Sequence, residues 1–244
     1  MLSLLLKEIR SFLSSIIGYV VIAVFLLLTG LFMWGFQGNL QVMDQGYATL
    51  DTLFYVAPWV FMFLVPAVTM RSFSEEKRTG TIELLFTRPL TDYQIILAKY
   101  FAGIVLVILA LIPTLVYYYS VVQLGYPVGN IDHGGTIGSY IGLIFLAAGF
   151  TAIGTFASSI SDNQVVAFII ALFLCFVFYS GLDQIASFDL LGSFDRIVQK
   201  IGIAEHYDSM SRGVIDTRDV IYFISLSGIF IVLTKVVLQS RKWS

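Results

Sequence analysis

The chain has little charge for its length. Asp, Glu, Lys and Arg make up 12% of its 244 residues, whereas hydrophobic residues make up 58%. Because soluble domains carry about 25% charged residues, this chain has too few ions to cover a surface that faces water. Together with a mean hydropathy of +0.88, this composition predicts an integral membrane protein.

Cysteine, histidine and positive charge are scarce as well. The single cysteine, Cys175, excludes an intrachain disulfide, and its place in an apolar run predicts a small buried hydrophobe. The two histidines, His133 and His206, cannot form a His-rich metal site by themselves, and we expect both to be solvated loop residues. A net charge of −2 leaves no basic face for phosphates, so nucleic acid is not an expected partner.

The sequence also lacks the motifs of nucleotide and acid–base chemistry. A phosphate-binding loop needs Gly-x4-Gly-Lys-Ser/Thr, and no Gly-Lys pair occurs. No serine in an apolar segment is paired in sequence with His or Lys, so a catalytic dyad would lack its base. The chain is therefore not expected to be an enzyme or to bind a cofactor, and any ATP would be bound by a partner chain.

What is present is a series of apolar segments of about 20 residues, the length that crosses a bilayer as a helix. Six segments qualify and predict an all-α integral membrane protein: Ile16–Phe36, Thr52–Met70, Tyr100–Val122, Ile137–Ser159, Gln164–Leu182 and Val220–Leu238. The first five contain no Asp, Glu, Lys, Arg or His. Proton-coupled transporters usually need ionisable groups within the membrane, so this absence disfavours that class.

The positive residues predict the orientation of these spans, because cytoplasmic loops carry the excess of Lys and Arg. With a cytoplasmic amino terminus, both ends are cytoplasmic and the exterior receives only Arg196, Lys200, Arg212 and Arg218. The cytoplasmic side then receives all the others: Lys7, Arg10, Arg71, Lys77, Arg78, Arg88, Lys99, Lys235, Arg241 and Lys242.

Two stretches outside the spans are predicted to be helical without crossing the membrane. Residues 1–15 are apolar with interspersed charges and indicate a helix on the cytoplasmic surface, a frayed end being the alternative. Residues 183–219 form an exterior connection, in which Gly213 is suited to end a short helix and Asp216 to cap the last span. Its apolar residues recur at helical spacing and indicate an amphipathic interfacial helix: Leu190, Leu191, Phe194, Ile197, Val198 and Ile201.

Small residues crowd the fourth span. Gly138 and Gly142 form a GxxxG pair, and Gly149 and Gly154 continue the series. Such positions let helices approach closely in lipid. We favour packing within the chain over the alternative, a dimer seam.

The densest charge lies in the connection 71–99 between the second and third spans, RSFSEEKRTGTIELLFTRPLTDYQIILAK. Ser74 is predicted to cap a turn that Gly80 ends. A second short helix is predicted over Ile82–Phe86. The sequence of Thr91–Gln94 is a capping box that begins the third span.

The result would be a cytoplasmic helical hairpin with apolar groups beside charged ones: Leu84, Leu85 and Phe86 next to Arg78, Glu83 and Arg88. An exposed apolar centre with a charged rim is what a docking surface needs. A polar loop whose leucines dip into the lipid interface is the alternative, and local physics does not distinguish the two.

A family resemblance does distinguish them. The segment FLVPAVTMRSFSEEKRTGTIELLFTRPLTDYQIILAKYFAG resembles the second-span, coupling-loop and third-span region of ABC-2-type transporter permeases. Their recurring pattern is matched by Glu76, Gly80, Thr81, Glu83, Leu84, Leu85, Pro89 and Lys99. SSISDNQVVAF resembles the second cytoplasmic turn of the family, which here consists of Ser161, Asp162, Asn163 and Gln164. Ile16 departs from the family, since many relatives have a proline after the Ser pair.

The resemblance covers essentially the whole chain, with a helix at 1–15 and the six-span permease domain at 16–240, and implies a function in a bacterial inner membrane. In such permeases two copies, or two related subunits, form the pathway. Each docks a cytoplasmic ABC ATPase, which binds ATP and Mg²⁺, on its coupling helix. The resemblance and the hairpin together give the expected coupling residues: Glu76, Arg78, Gly80, Thr81, Glu83, Leu84 and Leu85.

A narrower likeness lies in IAEHYDSMSRGVIDTRDVIYF and IGYVVIAVFLLLTGLFMWGF. Both are similar to permease subunits of gliding-motility-associated (Gld) ABC transporters, which implies an exporter linked to gliding motility or secretion. Two other functions stay open from the residues alone. One is a secondary transporter or channel that needs no ATPase, and the other is a membrane scaffold that transmits force without transport.

Overall fold

A computed structural model describes residues 1–86, 90–188, 192 and 195–240, except for the side chains of Leu85 and Phe86. Within these ranges the chain is helical and contains no strand. Six helical segments of the described chain are long and apolar enough to cross a membrane. The predicted all-α fold with six spans is confirmed.

The helices that precede the fourth span are α1 (Leu2–Leu13), α2 (Ile16–Gly30), α3 (Asp51–Thr69), α4 (Arg71–Arg78), α5 (Ile82–Phe86), α6 (Asp92–Leu111) and α7 (Leu115–Leu124). Those that follow are α8 (His133–Ile160), α9 (Gln164–Phe176), α10 (Leu182–Ser187), α11 (Asp195–Ile201), α12 (Ile203–Ser211) and α13 (Thr217–Ser240).

Several spans combine two helices. Span 1 is α2 with a π-helical turn at Leu31–Gly35, span 2 is α3 continued by α4, and span 3 is α6 and α7. Spans 4 and 6 are the single helices α8 and α13, whereas span 5 joins α9 to α10 through a π-helical turn at Val177–Gly181. Pro113 lies in the 3₁₀ turn between α6 and α7, where its missing N–H interrupts the α-helical bonding.

Span 4 is the centre of the packed structure. It contacts α3, α6, α9, α12 and α13. In its apolar 18-residue stretch, 72% of the residues are buried. Its glycines lie at these contacts: a Cβ on Gly142 would come within 2.7 Å of Met210 Cβ, and one on Gly154 within 2.0 Å of Thr69 Oγ1. The prediction that the small residues serve packing within the chain is confirmed for these positions.

Spans 1 and 5 form the outside of the bundle. In the apolar 18-residue stretch of each of these spans, only 22% of the residues are buried, whereas 61% are buried in spans 2 and 3. Their exposed side chains are large and apolar, such as Leu27 on span 1 and Phe173 on span 5. These two spans therefore present the broadest apolar surface to lipid or to another chain.

The connection before span 6 is built from short helices. Gly213 adopts a φ of +82° after α12, so its predicted role in ending a short helix is confirmed. The Asp216 carboxylate accepts a hydrogen bond from Arg218 N at 3.0 Å, so its predicted role as the cap of the last span is confirmed as well. This bond also lowers the pKa of Asp216. Of the predicted amphipathic helix, Ile197, Val198 and Ile201 lie on α11, whereas Leu190, Leu191 and Phe194 lie outside the described residues.

The prediction of solvated loop histidines is wrong for His206, whereas His133 is exposed as predicted but belongs to a helix. His206 lies on α12, where its Nδ1 is 2.7 Å from Asp219 Oδ1 and its ring stacks on Tyr222 at 3.9 Å. His133 is the first residue of α8, and its Nδ1 is hydrogen-bonded to the Tyr118 hydroxyl. In each case the partner is distant in sequence or on another helix, so local pattern gave no sign of the contact.

Replacing Gly154 by Ala is expected to lower thermal stability. The added methyl group would collide with Thr69, so span 4 would have to move away from span 2, at a cost of about 1–3 kcal/mol. The melting temperature of the purified protein in detergent measures the effect. Gly228→Ala is the matched control, because a Cβ at Gly228 in α13 meets no atom within 4 Å. Equal melting temperatures for the two variants would contradict this packing.

Candidate coupling site

Both described ends of the chain and the α4–α5 connection lie on one face of the bundle, called here the terminal face. A buried cluster joins α1, α4, α6 and α13 there: Leu4, Phe73, Ile95, Ile96, Ala98 and Leu238. Gln239 Nε2 near the end of α13 donates to Asp92 Oδ2 at the start of α6 at 3.2 Å. The charged connection is thus packed onto the spans rather than extended away from them.

Helix α4 is bonded to span 4 through one serine hydroxyl. Ser158 Oγ on α8 accepts from Phe73 N at 2.9 Å and Ser74 N at 3.2 Å, and donates to Met70 O at 3.0 Å. Ser158 is fully buried. Its oxygen satisfies N–H groups at the start of α4 that have no partner inside a helix.

This arrangement corrects the predicted cap at Ser74. Ser74 lies within α4, and its hydroxyl donates back to Met70 O. The local serine is not needed as a cap because Ser158, far away in sequence, supplies the acceptor. No spacing rule could have paired the two segments.

A buried lysine adds a second bond between the same helices. Lys77 of α4 donates from Nζ to Ser159 O, close to the carboxyl end of α8. The last carbonyls of a helix lack intrahelical donors and carry partial negative charge, so a cation is stabilised there. Lys77 is only 9% exposed.

A third set of contacts joins α4 to span 3 and to α1. The Lys99 ammonium of α6 is 3.0 Å from Glu76 Oε1 on α4 and 3.1 Å from Glu8 Oε1 on α1, and it donates to Ser72 O at 2.6 Å. The Lys99 side chain is 1% exposed. Lys7, which is 63% exposed, approaches the same two carboxylates only to 3.7 Å. The two lysines and the two glutamates of this cluster therefore have no net charge together.

The hairpin expected from the sequence forms beyond these contacts. Gly80 ends the α4 turn with a φ of +69°, and α5 runs over Ile82–Phe86 as predicted. The predicted capping box is also present, since Thr91 and Gln94 exchange side-chain and backbone bonds at the start of α6. Leu84 is 67% exposed.

The expected coupling residues divide into two groups. One group is exposed on the hairpin and consists of Arg78, Gly80, Thr81, Glu83 and Leu84. The other is Glu76, which faces inward and whose side chain is only 13% exposed. The side chains of Leu85 and Phe86, and residues Arg88 and Pro89, lie outside the described residues.

The second turn lies close to α4. Ser161 Oγ accepts from Asn163 N at 3.1 Å, and Asn163 Oδ1 caps α9 by accepting from Val165 N at 2.9 Å. Asp162 is exposed on this turn, and Gln164 begins α9. Because α4 packs on both α8 and α9, the two segments singled out from the sequence are brought together.

Comparison with known families identifies the family of the chain. A family model described as ABC-2 family transporter protein matches residues 39–199, more than half of the chain. The chain belongs to the ABC-2 family of transporter proteins. No curated protein matches it significantly.

The match shows that this permease is a multi-pass membrane component and not a catalytic one, and permeases of this family normally pair with an ABC ATPase. The matched segment contains α4, Lys99 and Ser158, whereas α1 with Glu8 lies before it. The ionic contacts of Lys99 therefore attach a helix outside the matched segment to the family domain.

Replacing Lys99 by Ala is expected to destabilise the permease by about 3–5 kcal/mol, because it leaves two carboxylates in a partly buried site without their cation. Lys7→Ala is the matched control in the same cluster. It should cost only about 0–1 kcal/mol, since Lys7 is exposed and its contacts are long. Thermal unfolding in detergent compares the two. An equal loss for both variants would show that the buried ammonium does not hold these helices.

Proposed function

We propose that this permease is the membrane-spanning subunit of an ATP-driven exporter and that a separate cytoplasmic ABC ATPase docks on α4 and α5. The observation that carries the proposal is that the α4–α5 connection has a part buried against the bundle and a part that is exposed. One side of α4 is bonded into the bundle through Ser158, Lys77 and Glu76. The other end of the segment exposes Leu84 beside charged residues.

The exposed part has the composition of a docking surface. Leu84 supplies an apolar centre, and Arg78 and Glu83 supply charge of both signs around it. Apolar anchors surrounded by polar rims are typical of protein interfaces. Leu85 is proposed as a second anchor on sequence grounds. ATP and Mg²⁺ are proposed to bind to the partner ATPase and not to this chain.

The buried part can pass a displacement into the spans. Since α4 continues span 2 and is bonded to spans 3 and 4, a push on α5 acts on all three at once. Helices that are packed and hydrogen-bonded in this way move together as rigid elements. Glu76 is accordingly proposed to transmit force through Lys99 rather than to contact the ATPase directly.

The export pathway is proposed to need a second permease, either another copy or a related subunit. Spans 1 and 5 present the least buried faces, and an apolar groove of about 600 Å³ runs between spans 1 and 2 beside Phe168 of span 5. Apolar surfaces of this extent require lipid or another chain. The terminal face would be cytoplasmic, in a bacterial inner membrane, because it carries the excess of Lys and Arg.

The Gld likeness narrows the proposal to an exporter that serves gliding motility or secretion. The spans carry no Asp, Glu, Lys, Arg or His in the first five apolar segments, which fits an apolar, lipid-linked or polymeric cargo. ATP-independent transport by the purified permease would overturn the proposal and support a secondary transporter or channel.

Leu84→Ala is expected to weaken association with the ATPase at least about tenfold, the size of effect seen when an interface anchor is removed. The tagged permease is purified in mild detergent, and the co-purifying ATPase is identified by its phosphate-binding motif and its ATP hydrolysis. Leu124→Ala is the matched control, because Leu124 is 57% exposed at the far end of span 3. Undiminished ATPase binding by the Leu84 variant would remove α5 from the docking surface.

Ser158→Ala is expected to uncouple the ATPase while leaving it bound. A Val214→Cys reporter in a Cys175→Ala background places one exposed thiol beyond α12. In the parent, adding ATP and vanadate, which leaves the ATPase trapped with ADP and vanadate, should change the labelling of this thiol by an impermeant maleimide about fivefold or more, which corresponds to about 1 kcal/mol of coupling. The Ser158→Ala protein should lose this response.

Ser120→Ala is the control for that experiment, since among the described residues the Ser120 hydroxyl bonds only within its own helix, to Val116 O at 2.8 Å. A full ATP response in the Ser158→Ala protein would show that the bond between α4 and span 4 does not carry the coupling.

A further inference from the structure

On the face opposite the terminal face, a cavity of about 560 Å³ lies between span 2, the end of span 5 and α12. Its wall includes Trp59 of span 2, Tyr179 and Asp183 of span 5, and Tyr207 and Asp208 of α12. None of these residues takes part in the α4 contacts. The cavity is therefore a second candidate site, separate from the docking surface.

Two carboxylates of the wall lack a cation among the described residues. Neither Asp183 nor Asp208 is in a salt bridge there. Asp183 Oδ1 is buried and accepts no hydrogen bond from the described chain, and Gly202 packs against it so closely that a Cβ would lie 3.0 Å away. Oδ1 lies against Gly202 and is itself closed off from the cavity, but a carboxylate without a partner is costly to bury, so a positive charge in the cavity beside Asp183 is favoured.

A buried tyrosine of the same wall has an unused hydroxyl. Tyr179 is 8% exposed, and its hydroxyl makes no hydrogen bond with any residue that the structure describes. The neighbouring Tyr207 hydroxyl, in contrast, donates to Phe54 O at 2.8 Å. Tyr179 therefore has hydrogen-bonding capacity that the chain itself does not use.

Aromatic rings complete the wall. The Trp59 ring is nearly perpendicular to the Tyr179 ring, with centroids 5.6 Å apart, and the Tyr207 centroid is 6.5 Å from that of Tyr179. Such rings accept apolar groups and attract cations. A simple metal ion would leave them unused, and the described residues contain no group of three His, Cys, Asp or Glu that could hold one.

We infer that this cavity binds an organic ammonium ion, namely a protonated primary or secondary amine that carries an apolar body. Its N–H groups donate to Asp183 and to the oxygen of Tyr179, while Asp208 adds negative potential. The apolar body packs on Trp59. Arg212 at the same cavity suits an anionic group elsewhere on the ligand. The inference concerns binding and requires no ATPase.

The test uses benzylammonium as the probe and benzyl alcohol as its neutral counterpart. Isothermal titration of the full-length permease in an uncharged detergent, with empty micelles subtracted, gives both affinities. We expect the ammonium to bind at least about tenfold more tightly than the alcohol, as expected for a ligand whose charge is recognised. Equal affinities would overturn the inference.

Two variants locate the site. Asp183→Asn should weaken benzylammonium binding about tenfold and Tyr179→Phe about threefold, because each removes one polar partner of the ammonium. Tyr179→Phe deletes only the unused hydroxyl, so it tests the site even if Asp183→Asn fails to fold. Asp44→Asn is the matched control, since it removes an exposed carboxylate outside this cavity. Unchanged affinity in the Tyr179→Phe protein would place any binding elsewhere.

A final arm identifies the source of the amine. Phosphatidylethanolamine carries a primary ammonium on its zwitterionic headgroup, whereas phosphatidylcholine, which is also zwitterionic, carries a quaternary ammonium without an N–H group. Reduced benzylammonium binding in nanodiscs of the first lipid, relative to the second, assigns the site to a lipid headgroup. Equal binding in both assigns it to a soluble amine.

Discussion

One buried ammonium group, that of Lys99, connects three separate parts of the chain. It contacts Glu8 of α1, Glu76 of α4 and the Ser72 carbonyl, and these acceptors make its burial tolerable because an isolated charge would have to stay in water. If α4 moved away from α6, the ammonium would lose two acceptors in a place that water barely reaches. The position of the whole α4–α5 connection therefore depends on this contact, and α1 is held to it through the same group.

Span 4 gives that connection a fixed support. Its small residues allow close approach by span 2, since Gly154 lies against Thr69, and its carboxyl end supplies Ser158 and the Ser159 carbonyl to α4. In lipid, helices gain little from hydrophobic contact with one another, so close backbone packing and hydrogen bonds hold them together. Both kinds of contact are concentrated on this one helix, which explains why it is the most buried of the six spans.

Local patterns predicted much of this architecture. Apolar segment length gave the six spans, the Thr91–Gln94 capping box gave the start of α6, and Gly80 gave the end of the α4 turn. These features depend on neighbouring residues alone. The cap of α4 could not be found in this way, because Ser158 is contributed by another span while Ser74 offered an equally plausible local hydroxyl.

The same limit applies to the charged residues of the candidate site. The density of ions in 71–99 indicated an exposed surface, yet Lys77 and Lys99 are buried and Glu76 faces inward. Whether a lysine in a charged segment faces water or a partner depends on what another segment places opposite it. Glu8 lies outside that segment altogether, so sequence alone singled out the region but not its division into a buried and an exposed side.

The two candidate sites share one mechanical element. Helix α8 has 28 residues and is therefore about 42 Å long. At its carboxyl end it is bonded to α4, and near its amino end Ser139 Oγ donates to Ser211 O at 2.7 Å while Gly138 packs against Gly213, just beyond α12. Helix α12 carries part of the wall of the opposite cavity. Both ends of α8 are held by hydrogen bonds and close backbone contact, so a displacement of α4 that moves this helix also moves the wall of the cavity. Helix α8 therefore connects the proposed docking surface to the proposed amine site.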